Sequence, residues 1–207
     1  MINVHHLASG DRWGGAESQL LNLMNGLREI GISTQALLLN DLETAERLRD
    51  AGHTVTIFDE QALSTRHIVK EIRNHLSEHQ PDVLHTHRQK ENVLGSLARL
   101  AGHDGISLRT QHGAAEYSPS LKQRLFVAAD WFCGRWMQNA IIAVSEELRA
   151  QLSDSFTSTR VHCIHNGIDV DAVRAAAQTT ERTDQEQRVA FVGRLETVKR
   201  VDLFIET

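Results

Sequence analysis

The sequence predicts an α/β protein built on a Rossmann-like, doubly wound parallel sheet. Two observations lead to this prediction. Short apolar runs alternate with stretches in which apolar residues recur every three or four positions, as strands and amphipathic helices do. The helical stretches end at breaking residues such as Gly31, Gly52 and Pro81. An alternation of this kind is typical of parallel sheets whose helices cover both faces.

The elements follow one another in a simple order. The predicted strands are Ile2–Ala8, Gln35–Leu39, His53–Phe58, Asp82–His87, Ser107–Gln111, Ala140–Val144 and Val161–Ile164. The predicted helices begin near Ala16, at Asn40 or Asp41, and near Thr65, Glu91, Ser120 and Glu146. The first helix places Leu20, Leu23, Met24, Leu27 and Ile30 on one face, and the third carries Ile68, Ile72 and Leu76 at fourfold spacing. Glu43 is positioned for a capping box at the start of the second helix.

The composition changes near the end of the chain. Residues 1–172 are predicted to form the first Rossmann-like domain, and residues 173–188, which have no apolar face, a partly helical linker. Residues 189–207 restart the pattern with an apolar strand at Val189–Val192 and a helix beginning near Lys199. We expect this segment to be the first strand and part of the first helix of a truncated second Rossmann-like domain.

Composition and charge exclude several classes of protein. A chain of 207 residues can bury one sizeable core plus a fragment of another. The formal net charge of -5 and the lack of a Lys/Arg block argue against nucleic-acid binding. Cys133 and Cys163 lie far apart and outside any Cys-x-x-Cys pattern, which fits a reducing compartment. No signal peptide or bilayer-length apolar run is visible, so we expect a cytoplasmic location.

The connection after the first strand contains paired glycines. Gly14 and Gly15 come directly before the first helix, and Glu17 lies in its first turn. Glycines at a helix N-terminus let a ligand approach the free backbone N–H groups. The spacing is not the G-x-G-x-x-G fingerprint, which disfavours a nicotinamide cofactor. An ordinary glycine-rich turn would have the same sequence, so both interpretations stay open.

Strand four ends in a polar cluster. His85 and His87 alternate onto one face, and Arg88 follows at the carboxyl edge, where open α/β sheets bind ligands. A His-x-His pair could belong to a metal site, but spacing identifies no third ligand. We therefore expect no metal, and a histidine that hydrogen-bonds neighbouring loops is the favoured alternative.

Strands five and seven also end in polar residues. His112 precedes a glycine at the end of strand five, where it faces a cleft or serves as a structural histidine. Asn166 and Gly167 follow strand seven as a turn signal. Asp169 and Asp171 have an Asp-x-Asp spacing that some sugar-nucleotide enzymes use for a metal, and we interpret this spacing as chance.

Two cations follow the apolar run at Val189–Val192. Arg194 and Lys199 would lie beside the N-terminus of the last predicted helix. A strand, a short polar turn and a helix N-terminus together form an anion site in many α/β proteins. The pattern therefore predicts a phosphate-binding position in the truncated segment.

The helix predicted over residues 120–138 combines cations with aromatic residues. Arg124 and Arg135 accompany Trp131 and Trp136 on a helical pattern. Such a helix can lie on a membrane surface. The favoured alternative is a partly buried helix at a domain edge.

Six of these elements together resemble the group-1 retaining glycosyltransferases, glycosyltransferase family four. They occur in the family's order: Gly14-Gly15-Ala16-Glu17, His85-Thr86-His87, Thr110-Gln111-His112-Gly113, Ile142-Ala143-Val144-Ser145-Glu146, Asn166-Gly167-Ile168-Asp169, and Val192-Gly193-Arg194-Leu195 with Lys199. The resemblance implies the GT-B fold, in which two Rossmann-like domains face a cleft. It covers the whole chain but half of that architecture.

The resemblance also implies roles for individual residues. Arg194 and Lys199, with Gly14 and Gly15, would bind the donor diphosphate, and His112 would be the candidate catalytic residue near the transferred sugar. The remaining cleft and acceptor-side candidates are Glu17, His87, Arg88 and Asn166. Fixed cations and a helix N-terminus would stabilise the departing diphosphate, so no metal or other cofactor is expected. The family is thought to retain the anomeric configuration.

The implied partners are a nucleotide-sugar donor and a glycan or lipid-linked acceptor such as a cell-surface polysaccharide. Peripheral contact with the inner face of the membrane, and a dimer through the exposed truncated segment, are further expectations. The family's Glu-x7-Glu element and nucleoside pocket are absent, so we expect this chain to be inactive alone. A non-catalytic GT-B-like binding or partner protein, a sugar-nucleotide epimerase and a phosphorylase of similar fold remain alternatives.

Overall fold

A computed structural model describes residues 1–100, 102–113, 120–156, 160–178, 189–193 and 201–206. The chain divides into two compact units, residues 1–168 and 169–207. The predicted domain boundary at residue 172 falls inside a helix of the second unit.

The first unit has seven strands and six helices among its described residues. The strands are β1 (Asn3–Ala8), β2 (Ser33–Leu38), β3 (Thr54–Ile57), β4 (Val83–His87), β5 (Ile106–Gln111), β6 (Ala140–Ala143) and β7 (Val161–Cys163). The helices are α1 (Gly15–Glu29), α2 (Glu43–Asp50), α3 (Thr65–His79), α4 (Gln89–Arg99), α5 (Leu121–Trp136) and α6 (Glu146–Ser155). All seven strands pair in parallel in the order β3-β2-β1-β4-β5-β6-β7. The predicted Rossmann-like sheet is confirmed.

Helices cover both faces of this sheet, and each face has its own apolar core. On one face, Leu20 and Met24 of α1 pack with residues of β2 and α2. On the other, Ile68, Ile72 and Leu76 of α3 pack with β1, β4 and α4. The helical spacing selects all five of these side chains as buried. Ile30, which the same spacing places on the α1 face, is instead 72% exposed at the C-cap of α1. Because both faces are covered, polar strand residues such as His6, His85 and Arg109 are buried along with the apolar ones.

Two helical glycines differ in how closely their surroundings are packed. A Cβ built on Gly95 of α4 would lie 3.0 Å from Thr86 Cγ2 and 3.2 Å from Leu84 Cδ2, whereas Gly26 of α1 has nothing within 4 Å. We expect Gly26→Ala to raise the free energy of unfolding by roughly 0.5–1 kcal/mol, because alanine loses less backbone entropy in a helix. Gly95→Ala should gain less than Gly26→Ala or lose stability, because the helix must move off the sheet. Urea unfolding of both variants checks this, and equal gains would contradict it.

The predicted start of the second helix is corrected by the structure. The capping box at α2 does not form: the N-cap is Leu42, without a side-chain capping bond. Asn40 instead donates to the Ser9 carbonyl oxygen, Asp11 and Glu60. Its amide therefore joins loops rather than starting the helix.

The second unit contains helices α7 (Val170–Gln178) and α8 (Val201–Glu206) among its described residues. Residues 173–178 of the predicted linker are thus helical, and residues 179–188 lie outside the described part. The predicted strand Val189–Val192 is wrong: these residues are in no strand, and Val189 and Val192 are exposed. A strand requires a neighbour to accept its backbone hydrogen bonds, and the described sheet lies entirely in the first unit.

Helix α5 presents an apolar stripe to solvent. Leu121, Leu125, Phe132 and Trp136 are exposed at spacings of four, seven and four residues, which place them on one face, while Asp130 on another side is buried. Membrane contact stays a prediction, with this stripe and the neighbouring arginines in its favour. Among the described helices, none combines the length and apolarity needed to cross a bilayer.

Candidate functional site

The candidate site lies where the strand order of the sheet reverses. β1 pairs with β2 on one side and β4 on the other, so the connections after β1 and β4 leave in opposite directions. Because the sheet is parallel, the loops after β1, β4 and β5 emerge at the same edge. Open α/β sheets bind ligands in the crevice that forms there.

The loop after β1 leads to a helix N-terminus without a side-chain cap. Gly14 is the N-cap of α1, and among the described residues no side chain caps this helix terminus with a hydrogen bond. Gly10 holds the loop against β2: its φ is +72°, and a Cβ there would lie 3.0 Å from the Asn40 carbonyl oxygen. The free N–H groups and the positive end of the helix dipole make this terminus suited to an anionic ligand.

An ion pair joins this helix to the loop after β4. The Arg88 guanidinium donates to the Glu17 carboxylate, which is buried, while the Arg88 side chain is 43% exposed. Arg88 is the N-cap of α4 and has a φ of 78°, an unusual conformation for a residue other than glycine. A Cβ on Gly14 would lie 3.2 Å from the Glu17 carboxylate, so the glycine loop and the ion pair are in contact.

Three histidines form a chain of ring contacts beside this ion pair. His87 Nε2 lies 3.3 Å from His6 Nδ1 in β1, and His87 Nδ1 lies 3.2 Å from His112 Nε2 after β5. His85 Nε2 lies 2.7 Å from the Thr110 hydroxyl oxygen. The strand register explains the arrangement, because His6 is opposite His85 and His87 is opposite Thr110.

Burial keeps these imidazoles neutral at pH 7. It lowers the pKa of His112 to about 4, with a further lowering by the Arg88 cation. Burial also lowers the pKa of His85 to about 3 and those of His6 and His87 well below their ordinary value, and neighbouring imidazoles add to the effect. Each neutral ring offers one N–H donor and one bare nitrogen acceptor. His112 Nε2 is paired with His87 Nδ1, and His112 Nδ1 is buried without a partner among the described residues, so the neutral ring lies at the site without adding charge.

Glu91 is a buried carboxyl group near the same edge. It lies in the first turn of α4, is 1% exposed, and its Oε2 has no hydrogen-bond partner among the described residues. Burial raises the pKa of Glu91 to about 7, against the attraction of Lys90 and Arg88. Sequence reasoning missed this residue, since an acidic residue in the first turn of a helix is commonly an exposed one that favours the helix dipole.

This burial predicts a stability effect of a single substitution. Because the pKa of Glu91 is higher in the folded protein, ionisation favours unfolding, and its cost grows as the pH rises from about 4.5 to about 7, above which it is constant. We expect Glu91→Gln to raise the free energy of unfolding by about 1–3 kcal/mol at pH 8. At pH 4.5 the gain should vanish. Urea unfolding at both values checks this, and a gain that does not depend on pH would contradict it.

The structure gathers some of the predicted site residues and leaves others apart. Gly14, Glu17, Arg88, His87 and His112 form one connected group through the contacts above. Asn166 is exposed after β7, which β6 separates from β5; the neighbouring Gly167 carbonyl accepts a hydrogen bond from Asn22 of α1 at 3.3 Å. Gly15 is the first residue of α1. The roles of all these residues remain predictions.

The predicted phosphate position and the Asp-x-Asp spacing, which we interpret as chance, both lie near the end of the chain. Arg194 and Lys199 lie outside the described residues. Asp169 Oδ1 accepts from the backbone N–H of Ala172 at 2.9 Å and so caps α7. Asp171 is paired with Arg174 at 3.6 Å. The Asp-x-Asp spacing thus serves the start of a helix.

The third histidine that spacing could not identify is His6. One ring nitrogen from each of His6, His85 and His87 lies within 4.8 Å of the others, a grouping that could hold a metal ion. The sequence did contain a sign that His6 is buried, because in a strand it shares one face with the apolar residues Val4 and Ala8. The partner strand was not knowable from the sequence pattern.

Solved structures with the same fold include sugar-nucleotide proteins. Anabaena HepE in complex with UDP-glucose has a TM-score of 0.69 and 18% identity, and the match covers 83% of this chain and 45% of that one. The lipopolysaccharide outer core galactosyltransferase WaaB has a TM-score of 0.63 and 12% identity, and the match covers 82% of this chain and 47% of that one. A UDP-N-acetylglucosamine 2-epimerase has a TM-score of 0.60 and 14% identity, and the match covers 89% of this chain and 52% of that one. The chain spans about half the length of these structures, and identities this low show a shared fold.

A family model gives a more specific result. The model described as Glycosyltransferase Family 4 matches residues 13–172, a range that contains every described candidate residue from Gly14 to Asn166. A search of curated protein sequences finds no match. The match spans well over half of the chain and agrees with the motifs and with the GT-B-like sheet. The chain belongs to glycosyltransferase family 4.

Proposed function

We propose that this chain provides the acceptor-side domain of a retaining glycosyltransferase, which transfers a sugar from a nucleotide-sugar to a glycan or lipid-linked acceptor. The observation that carries the proposal is the connected group at the reversal of the strand order. There the uncapped N-terminus of α1 meets the Glu17–Arg88 ion pair and the neutral His112. The fold neighbour HepE was crystallised with UDP-glucose, which makes UDP-glucose the first donor to test.

Each part of this group has a role in the proposed reaction. The N–H groups at Gly14 and Gly15 would bind a phosphate oxygen of the donor. A neutral His112 would lie near the transferred sugar. Once movement of the ring uncovers its buried Nδ1, it would donate a hydrogen bond to the sugar or to the departing diphosphate, where negative charge develops. Arg88 is held by Glu17 and adds a fixed positive charge beside His112. In the same proposal, Arg194 and Lys199 complete the diphosphate site from the second domain.

Retention of configuration is part of the proposal. The acceptor hydroxyl would attack the anomeric carbon from the face that the nucleoside diphosphate leaves. The oxocarbenium-like sugar would then be stabilised by the departing phosphate, which itself accepts hydrogen bonds from fixed donors. Such donors need no reorganisation during the reaction, so a metal ion is not required by this mechanism.

The direct test is a transfer assay with labelled nucleotide-sugars and lipid-linked or polysaccharide acceptors. We expect no transfer by the chain alone, and transfer by the chain fused to the part of HepE that the structural match leaves uncovered. Turnover by the chain alone would refute the expectation that a second domain is needed. A folded fusion that binds UDP but transfers nothing to any acceptor would contradict the transferase assignment.

Substitution of His112 tests its predicted role within that fusion. We expect His112→Ala to lower kcat by about 100-fold, the effect of losing one fixed donor to a developing negative charge. His67→Ala is the matched control, because His67 is exposed at the start of α3. An unchanged kcat in His112→Ala would remove His112 from the catalytic assignment.

The epimerase alternative predicts a different product. The likeness to a UDP-N-acetylglucosamine 2-epimerase shows that this fold also serves that reaction in another protein. An epimerase would change the donor sugar without any acceptor. Analysis of the sugar in the same assay distinguishes the two, and a non-catalytic partner protein would give neither product.

A further inference from the structure

Helix α5 is held against the rest of the first unit by one side. Its Asp130 pairs with Arg109 of β5 at 3.1 Å and accepts a hydrogen bond from Asn92 of α4 at 2.7 Å. One turn further along, a Cβ on Gly134 would lie 2.9 Å from the ring of Phe156, so the glycine allows a close approach there. These buried contacts fix the rotation of α5 about its own axis.

The opposite side of α5 carries the α5 stripe, which consists of Leu121, Leu125, Phe132 and Trp136. At 3.6 residues per turn, the four side chains fall within about 60° of one another around the helix. Each of them is at least 54% exposed. Because the buried contacts fix the rotation of the helix, the stripe cannot turn inward. A contiguous apolar patch of this kind marks a surface at which another apolar phase is bound.

The charges on α5 indicate what that phase is. Arg124 is exposed beside the stripe, and the Arg135 guanidinium lies 4.9 Å from the centre of the Trp136 ring. Asp130 is the one acidic residue in the sequence of α5, and it is buried in its ion pair. The exposed side of α5 is therefore positive, although the whole chain has a formal net charge of -5. Leucines and aromatic residues bordered by cations suit the boundary between the headgroups and acyl chains of an anionic bilayer.

We propose that the α5 stripe inserts into the surface of a bilayer that contains anionic phospholipids, with Arg124 and Arg135 against the lipid phosphates. The helix lies in the plane of the surface, because only one of its sides is free of contacts with the fold. This inference names the residues and the class of lipid. It concerns binding to lipid alone, so it does not rest on the proposed transfer reaction.

A second copy of the chain is the competing occupant of the stripe. In a two-fold symmetric contact the same surface patch faces itself. The cations Arg124 and Arg135, which border the stripe, would then be brought into one interface with their counterparts, and like charges in a contact are unfavourable. Lipid phosphates place the opposite charge at the same positions, which favours the bilayer.

Cosedimentation of the chain with vesicles tests the apolar part of the proposal. We expect binding to phosphatidylcholine vesicles that contain about one third phosphatidylglycerol, and little binding to phosphatidylcholine alone. Leu125→Ser should lower the partition coefficient by about 10-fold or more, because the burial of a leucine side chain contributes at least that factor. Ile30→Ser is the matched control, because Ile30 is exposed to a similar degree at the end of α1.

Substitution of a cation tests the electrostatic part. We expect Arg124→Gln to lower the same partition coefficient about fivefold, the contribution of one cation near an anionic surface. Added salt should weaken the binding of the native chain. Arg66→Gln is the control, because Arg66 is an exposed cation of α3. The changed residues are all exposed, and urea unfolding checks that each variant keeps the native stability.

The outcomes separate the bilayer from its alternatives. Binding to the anionic vesicles that falls in Leu125→Ser and Arg124→Gln, but not in the two controls, supports the proposal. No binding, equal binding to both kinds of vesicle, or binding unchanged in Leu125→Ser would overturn it. Dimers in analytical ultracentrifugation that Leu125→Ser abolishes, without vesicle binding, would overturn it in favour of a second copy. No measurement uses a nucleotide-sugar, so failure here is distinct from failure of the transfer assay.

Discussion

Asp130→Ala should lower the free energy of unfolding by about 3–5 kcal/mol, the largest effect we expect from a single substitution. Asp130 of α5 is 7% exposed at its side chain and lies 3.1 Å from Arg109 of β5, whose side chain is 3% exposed. Asn92 of α4 donates to the same carboxylate at 2.7 Å. Removal of the carboxylate leaves the Arg109 cation buried without its counter-charge. Urea unfolding at pH 7 measures the loss.

The pair itself need not stabilise the fold. Burial raises the pKa of Asp130 despite Arg109, which shows that desolvation exceeds the attraction between the two charges. The double variant Arg109→Met/Asp130→Leu should therefore recover much of the loss. Glu43→Ala is the surface control, because the Arg47–Glu43 pair is about half exposed and should be worth less than about 0.5 kcal/mol. A loss at Asp130 no larger than at Glu43 would contradict the argument.

Acidification should destabilise the protein well before its carboxylates are protonated. Burial lowers the pKa of His5 and His75 to about 4 and that of His85 to about 3. Their rings are neutral when folded and become charged when unfolded, so stability is complete above about pH 6.5 and falls as the pH drops towards 4. Each independent histidine contributes up to about 1.4 kcal/mol per pH unit in that range.

Two features limit how steeply the free energy of unfolding falls with pH. His5 and His75 contact each other at 3.1 Å, so they do not titrate independently. Glu91 has the opposite sign, because its raised pKa favours the folded state as the pH falls. We expect a net loss of roughly 2 kcal/mol per pH unit between pH 6 and pH 5. Unfolding in urea at pH 7.5, 6 and 5 measures it, and a free energy that is constant over these values would contradict the expectation.

A substitution separates the histidines from other acid effects. His75→Phe should flatten the pH dependence, because His75 already packs edge-on against Phe58 and the new ring has nothing to protonate. The exposed His67→Phe should leave it unchanged. Equal slopes in the native protein and in His75→Phe would show that the acid sensitivity arises elsewhere.

The spacing of apolar residues along the sequence was sufficient to predict the helices and strands of the first unit. The fourfold spacing of Ile68, Ile72 and Leu76 predicts one buried helix face, and α3 buries all three. The positions of Gly14, Arg88 and His112 at strand ends were also predictable, because a parallel sheet sends the carboxyl ends of its strands to one edge. These predictions succeed because period and strand polarity are properties of a short segment.

Long-range pairing was not predictable in the same way. His6 belongs to the candidate site only because β1 lies beside β4 in register with His85. The Arg109–Asp130–Asn92 network joins a strand and two helices through the interior. Neither contact leaves a periodic trace in the sequence, since each depends on which surfaces meet after folding.

At Val189–Val192 the local sequence pattern predicted a strand that the structure does not contain. Its residues have the composition of a buried strand, and the described structure leaves them out of any strand, with Val189 and Val192 exposed. β-propensity expresses how well a side chain fits a pleated, half-buried surface, and it needs a neighbouring strand to take effect.

The sequence by itself determined the class of fold, the family resemblance and the strand ends at which the functional side chains emerge. Those depend on apolar period and on motif order, which can be read within a few tens of residues. The tertiary structure alone decided that His6 joins His87 and His112, that Glu17 holds Arg88, and that Glu91 is buried as a carboxyl group of raised pKa. These facts arise from packing between distant segments, which sets burial and hydrogen-bond partners and, through them, the charge of each group.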